Sequence, residues 1–389
     1  MTDGASRARG GMVARRGCPY RLARTFAPGI HALRSLGAAS LRPPGCARQQ
    51  RRLDGTGNPS WGVADRSRRF AACGRRHALV IAWFVMLVGV GSASGEEKVR
   101  ARRESPAGSV AVAFVGDVML DNGPGHAVAS GRDPFAACAE LLLDADFTVG
   151  NLECVLGKGG RQVLKAYSFR AATDSPVYLK RYFSAVSVAN NHALDFGPDG
   201  LVECLRILAA AGIPQVGGGA DLVAARRPLV LEKHGIKIAL LAANGFQAAK
   251  SAAGAAAPGV APLEEAAILA DIAAARQLAD FVVPFVHWGP ELVAEPRPAD
   301  RALARKMIES GAAAVIGAHP HVTQTVDVHR GAPIVYSLGN FVFDYYPVDP
   351  PEWTGWLARL TFAKGRGVEL ETRAVVLDAA GLPRPAAED

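Results

Sequence analysis

The chain has 389 residues, 49% hydrophobic and 21% charged, with 42 glycines and 25 prolines; this excludes a disordered polymer or a collagen rod and leaves room for one large domain or two ordinary ones. Its formal charge of +8 is unevenly placed: residues 1–76 hold 16 arginines, no lysine and 3 acids, a charge of +13, and the remainder carries −5. A mildly acidic remainder offers no footprint for a phosphate backbone, so no nucleic-acid partner is expected.

Residues 1–76 follow neither a helical nor a strand period and read as a disordered basic segment. Arg75-Arg76-His77 then lead into 13 uncharged, mostly apolar residues, Ala78 to Val90, followed by Gly91, Ser92, Ala93 and Ser94. A positive flank, a short apolar run and a small-residue exit make a secretory signal peptide over 77–95. The run is shorter than the ~20 residues of a membrane span, and an uncleaved anchor over 78–93 is the alternative. Export to the periplasm or cell surface is therefore expected. The long basic prelude is foreign to a signal peptide and is explained if the native start lies near Val63. Arg68-Arg69 match a twin-arginine signal weakly, because Phe70 follows directly. No cysteine follows the apolar run, so no lipid anchor is expected. Of six cysteines, Cys18, Cys46 and Cys73 precede the run and Cys138, Cys154 and Cys204 lie in the exported part. An odd number without a CxxC reads as packed thiols.

From residue 108 to 378 apolar strands alternate with helices, an α/β pattern without internal repeats. Val110 to Val115 is a buried strand ending at Gly116-Asp117. A helix capped by Asp133 runs to Leu143. Phe147 to Val149 is a strand ending at Gly150-Asn151. Asp174 caps a second helix, and Ala185 to Ala189 is a strand ending at Asn190-Asn191-His192. Pro198 starts a helix to Ala211. Leu229–Lys233 and Lys237–Ala242 pair across His234-Gly235. Gln247 to Pro262 is an Ala/Gly-rich loop, and Glu264 to Ala279 is helical. Phe281 to Val286 is a strand ending at His287, Ala299 to Glu309 a helix, and Ala313 to Ile316 a strand ending at Gly317-Ala318-His319. Strands Val322–Val328, Ile334–Tyr336, Trp356–Phe362 and Val368–Val376 close the domain.

Five of these strands deliver a metal-ligand residue type at their carboxyl ends: Asp117, Asn151 with Glu153, Asn191 with His192, His287, and His319 with His321. Ligands of α/β sheets bind past the strand ends. Carboxylate, amide oxygen and imidazole without thiolate suit Mn²⁺, Fe²⁺ or Zn²⁺, as one or two ions. His319 and His321 share a face if they lie on a strand, and reach two neighbouring ions if they lie on a turn. Asp195 and Glu291 are candidates to fix the histidine rings.

Six segments carry a resemblance. They are Phe-Val-Gly-Asp-Val-Met-Leu (114–120), Gly-Asn-Leu-Glu (150–153), Ala-Asn-Asn-His-Ala-Leu-Asp-Phe-Gly (189–197), His-Trp-Gly-Pro-Glu (287–291), Gly-Ala-His-Pro-His-Val (317–322) and Ser-Leu-Gly-Asn-Phe-Val-Phe-Asp (337–344). In this order they resemble the poly-γ-glutamate capsule-biosynthesis family of the CapA type, within the calcineurin-like metallophosphoesterase superfamily. The resemblance implies a two-sheet β-sandwich flanked by helices (α-β-β-α). It implies metal ligation by Asp117, Glu153 or Asn151 as the bridging group, Asn191, His287, His319 and His321. His192 corresponds to the histidine that supports the transition state or protonates the leaving group. Asn151, Arg170, Glu291 and Asn340 are assigned to substrate. The implied partners are poly-γ-glutamate or another anionic polymer, and membrane-bound proteins of polymer synthesis and export.

Two departures bear on activity. Met119 stands where the superfamily has a histidine ligand, and the bridging position holds a longer Glu or an amide, so one metal site loses a ligand. The expected function is a metal-dependent hydrolase or transferase of phosphoester or γ-glutamyl amide bonds; the alternative is a non-enzymatic polymer-binding or export partner using the same pocket. Arg161, Lys165 and Arg170, interleaved with Tyr167 and Phe169, are candidates to grip an anionic chain. The aromatic segment from Asp344-Tyr345-Tyr346-Pro347 through Trp353-Thr354-Gly355-Trp356 reads as core and turn, with the lining of a groove as the alternative.

Overall fold

The computed structural model describes residues 101–344 and 353–387. The expectations for residues 1–76 and 77–95, and those for Tyr345 to Pro347, lie outside the described residues. Within them no helix is long and apolar enough to cross a membrane.

In chain order the elements are β1 (Ser109–Val118), α1 (Asn122–Ala129), α2 (Ala139–Leu143), β2 (Phe147–Leu152), α3 (Ser175–Tyr182), β3 (Ala185–Ser187), α4 (Gly197–Ala210), β4 (Gln215–Val216), β5 (Gly218–Gly219), α5 (Leu222–Ala225), β6 (Leu229–Lys233) and β7 (Ile236–Asn244). There follow β8 (Gly259–Val260), α6 (Glu265–Ala275), β9 (Phe281–His287), α7 (Pro298–Glu309), β10 (Val315–Ala318), β11 (Val326–His329), β12 (Ala332–Val335), β13 (Asn340–Val342), β14 (Thr354–Ala363), β15 (Gly367–Leu377) and β16 (Pro383–Pro385).

One sheet runs β16-β15-β14-β1-β2-β3-β4, with β13 also paired to β1; the other runs β11-β12-β10-β9-β7-β6. The strands that carry candidate ligands, β1, β2 and β3 in one sheet and β9 and β10 in the other, are parallel to their neighbours within this set. Their carboxyl ends therefore fall on one edge of each sheet.

The strand period sorts side chains into three core layers. Val110, Val112 and Phe114 of β1 face the other sheet and meet Ile238, Leu240 and Phe285. Phe114 sits edge-on to Phe285, with ring centroids 5.8 Å apart. Ala111, Ala113 and Val115 turn the opposite way, into a cluster with Leu142 of α2, Leu179 of α3 and Leu208 of α4. On the far side Ala239, Leu241 and Val282 pack with Ile268 and Ile272 of α6 and Ala304 and Met307 of α7. The order is helix, sheet, sheet, helix, as the resemblance implied. Strands covered on both faces need apolar residues at every position, which explains the continuous run in β1.

Several local expectations are corrected. The helix placed at Asp133 begins as a short 3₁₀ turn at Ala136 and becomes α-helical at Ala139. Asp133 instead accepts from the Phe135 amide and from Arg181 and Tyr182 of α3. Asp174 precedes α3 without a capping bond from its side chain. The strand placed at Val322 is regular only from Val326, and before it Thr323 makes an isolated antiparallel bridge to Leu338. The Ala/Gly-rich loop contains β8, paired with β5. α1 has two glycines and a proline and little helical signal; the Asp121 side chain, bonded to the amides of Asn122 and Arg170, fixes its start.

Candidate metal centre

The candidate residues converge where the two sheets' strand ends meet. Asp117 and Asn151 are register partners across β1 and β2, and His287 is level with Ala318 across β9 and β10. Close backbone approach makes this junction. A Cβ on Gly116 would lie 1.8 Å from the Gly339 carbonyl, and one on Gly317 would lie 2.0 Å from the Tyr336 carbonyl. Only glycine fits before Asp117 and before Ala318-His319.

Asn151 joins the sheets. Its Nδ2 donates to Asp117 Oδ1 at 2.7 Å and lies 3.1 Å from His287 Nδ1. Asn190 donates from Nδ2 to Asn151 Oδ1 at 3.1 Å and accepts from the His192 amide. The opposite nitrogen of His287, Nε2, lies 2.8 Å from Asn191 Oδ1 and 3.5 Å from Glu153 Oε1. His319 and His321 lie on a turn rather than a strand, both at positive φ (97° and 59°). Such conformations persist where the surroundings over-determine them, and they cluster at functional sites. The His319 amide donates to Asp117 Oδ2 at 3.2 Å, and His321 Nδ1 lies 2.9 Å from Asn340 Oδ1 and 3.3 Å from Asp117 Oδ2.

The donor atoms group into three sets. Glu153, His287 and His319 place one ligand atom each within 4.8 Å of one another; so do Asp117, Glu153 and His321, and Glu291, His319 and His321. Glu153 belongs to the first two sets. It is fully buried, and among the described residues neither of its carboxylate oxygens has a hydrogen-bond partner. The two ring nitrogens of His319, also fully buried, have none either. Leaving a buried polar group unmatched costs about 1–3 kcal/mol, and native proteins keep few such groups. A divalent cation would satisfy both residues at once, so the donor set fits the ion expected from it.

Electrostatics agree with that fit. Burial, then the neighbouring Asp117 carboxylate, hold the Glu153 carboxyl well above the usual range. Burial and the neighbouring imidazoles keep His287 and His319 well below the usual histidine range, which favours the neutral rings that a cation would require. His192 stands beside this set. Its Nδ1 is 2.7 Å from Asp195 Oδ2, and its Nε2 is 3.9 Å from Glu153 Oε1. Burial lowers its pKa, and Asp195 opposes that shift. Asp195 also accepts from the Phe169 amide at 2.7 Å and from Lys165 Nζ.

Three sequence assignments move. Asn151, offered as the bridging group or a substrate contact, is an amide with both ends engaged, and the carboxylate that reaches both ligand sets is Glu153. Asn340, assigned to substrate, orients His321. Arg170, assigned to polymer, donates to the Gly157 and Gly159 carbonyls at 2.5 and 2.9 Å and lies 3.5 Å over the Phe196 ring. Its guanidinium is tied into the protein by loop carbonyls that composition does not reveal.

The thiols and the thioether stay out of the site. Met119 is buried, and its sulfur accepts from the Asp121 amide at 3.1 Å. Burial drives the Cys154 thiol well up, Cys138 to about 12 and Cys204 to about 11, as expected of packed, protonated cysteines. Missed by the sequence reading were Asn190 and Phe246, the latter with its ring centroid 3.9 Å from that of His319. Asn244 shapes the turn that presents Phe246, accepting from its amide and donating to its carbonyl, both at 3.0 Å. A buried asparagine at a strand end was the available signal.

The chain is 34% identical over 246 residues to the PGA biosynthesis protein CapA of Bacillus subtilis, covering 60% of this chain and 63% of that protein. It is 30% identical over 242 residues to the capsule biosynthesis protein CapA of Bacillus anthracis, covering 59% of each. It thus spans less than two thirds of the length of these curated relatives. Among solved structures, a putative 5'-nucleotidase from Staphylococcus aureus aligns with a TM-score of 0.44 and 12% identity, covering 72% of this chain and 55% of that one. Residues 111–345 match the family described as bacterial capsule synthesis protein PGA_cap. That span runs from β1 past Asn340 and holds the whole cluster, and with it the chain belongs to the bacterial capsule synthesis protein family.

Proposed function

We propose that the protein is a metal-dependent hydrolase or transferase acting outside the cytoplasm on an anionic capsular polymer of the poly-γ-glutamate type. The observation that carries this reading is the pair of buried, unpartnered groups, the Glu153 carboxylate and the His319 imidazole. Asp117, Glu153, Asn191, His287, His319 and His321 would hold one or two divalent ions, with Glu153 common to both ligand sets. Such an ion polarises a phosphoryl or carbonyl oxygen.

The chain's own groups supply the proton chemistry. With Asp195 engaging Nδ1, His192 presents Nε2 to the site and accepts or donates a proton there. Asn151 holds Asp117 and His287 at a set separation across the two sheets. The names of the two Bacillus relatives support the polymer assignment, and the signal-like run Ala78 to Val90 supports export. Polymer synthase and export proteins of the membrane are the proposed partners.

The test is metal analysis of purified protein with hydrolysis assays on poly-γ-glutamate and phosphoesters, repeated for Asp117→Ala and His319→Ala. Bound metal, with both metal and activity lost in the variants, is expected. A protein that neither holds nor is activated by Mn²⁺, Fe²⁺ or Zn²⁺ would sink the enzymatic reading. Polymer binding that persists unchanged in both variants, without activity in the parent, would favour a holding or export role.

A further inference from the structure

We propose that Glu291 is a metal ligand, the carboxylate that closes the centre on its solvent side. This rests on the metal-centre reading above. The Glu291 carboxylate and the ring nitrogens of His319 and His321 lie within 4.8 Å of one another. Those two histidines each belong to one of the ligand sets that share Glu153. Glu153 thus forms the buried floor of the cluster and Glu291, which is exposed, its outer lip.

The position is built into the backbone. After β9 the Trp288 amide donates to the Ala318 carbonyl at 3.1 Å, and its indole donates to Tyr336 at 2.9 Å. Gly289 turns the chain at φ 83°, and the Leu292 amide donates to the Pro320 carbonyl at 2.8 Å. The turn carrying Glu291 is therefore bonded on both sides to the turn carrying His319 and His321.

Charge points the same way. Three carboxylates, Asp117, Glu153 and Glu291, surround imidazoles, and Glu291 forms no ion pair among the described residues. The nearby bases are engaged elsewhere: Lys165 on Asp195, and Arg297 on both oxygens of Asp300 at 2.7 and 2.8 Å. His319 offers a cation two buried nitrogens with no hydrogen-bond partner among the described residues.

The test is Mn²⁺ titration of the full-length protein by calorimetry and electron paramagnetic resonance, for the parent, Glu291→Gln and Glu291→Asp. Glu291→Gln is expected to weaken Mn²⁺ binding at least about tenfold and to change the Mn²⁺ spectrum, with Glu291→Asp restoring part of both. Because Glu291 is exposed, the metal-free melting temperature should not move. A Gln variant that binds Mn²⁺ like the parent overturns the ligand role and leaves the metal centre standing. A parent that binds no Mn²⁺, Fe²⁺ or Zn²⁺ overturns both.

Discussion

His192 and Asp195 are joined through Nδ1 and Oδ2 at 2.7 Å across a four-residue turn. The carboxylate also receives the Phe169 amide and Lys165, and Phe169 packs on the His192 ring with centroids 4.5 Å apart. The imidazole is thus fixed in rotation and, with Nδ1 engaged, directs Nε2 toward Glu153. On the proposed hydrolase or transferase reading, Asp195→Asn is expected to lower kcat by roughly 10²–10⁴-fold, the range for a general acid–base group, with little change in KM or metal content. Steady-state kinetics with metal analysis check it; a lost metal would instead make Asp195 structural.

Metal affinity should rise with pH. Glu153, its carboxyl raised by burial and by Asp117, keeps its proton where an ordinary carboxylate has lost it. A cation must displace that proton, so binding strengthens as pH rises and levels off above the raised value. His287 and His319 add nothing to this slope near neutrality, because both are already neutral. Calorimetry in buffers of different ionisation enthalpy should show proton release on Mn²⁺ binding. Glu153→Gln should abolish that release and most of the affinity.

Asp146 links the sheets and sets an acid limit on stability. It accepts from the Ser105 and Ala111 amides at 3.2 and 2.8 Å and pairs with Lys233 of β6 at 2.9 Å. Burial pushes its carboxyl up, but these bonds outweigh burial and hold it below the usual value. A depressed carboxylate stabilises above its unfolded pKa of ~3.9, and that stability is lost as pH falls through the folded value. Asp146→Asn should cost about 1–3 kcal/mol in urea unfolding at pH 7, and the gap should close below about pH 4.

Gly116→Ala and Gly317→Ala should each be strongly destabilising, by more than about 3 kcal/mol, because the new methyl meets a backbone carbonyl that cannot move aside. Thermal melts read the loss; a variant as stable as the parent would refute the close approach.

Arg170→Ala should act on the loop and not on the polymer. Two carbonyl bonds and the Phe196 contact are lost, lowering stability by roughly 1–3 kcal/mol. Polymer affinity measured on the folded variant should stay near the parent value; a large drop would return Arg170 to the binding site.

The alternation of strands and helices, the two-sided burial of β1 and the placing of Asp117, Asn151, His287 and His319 at or just past strand ends were legible in the sequence. Apolar period and abrupt polar stops are local signals, and burial on both faces of a parallel strand reproduces them directly. α1 and β13 were not legible. One is a poor helix former held by Asp121, and the other is three residues long and exists only beside β1.

What the sequence by itself determined is the inventory: nitrogen and oxygen donors without thiolate, in family order, on strands whose ends face one way. Tertiary structure decided which of them remain unsatisfied. Asn151, Asn340 and Arg170 are suitable ligand or binding types, and each is already engaged by groups distant in sequence. Glu153 and His319 converge from different sheets and find no hydrogen-bond partner among the described residues. Residue type and spacing are properties of a short stretch, whereas hydrogen-bond satisfaction depends on everything the fold brings within about 3 Å.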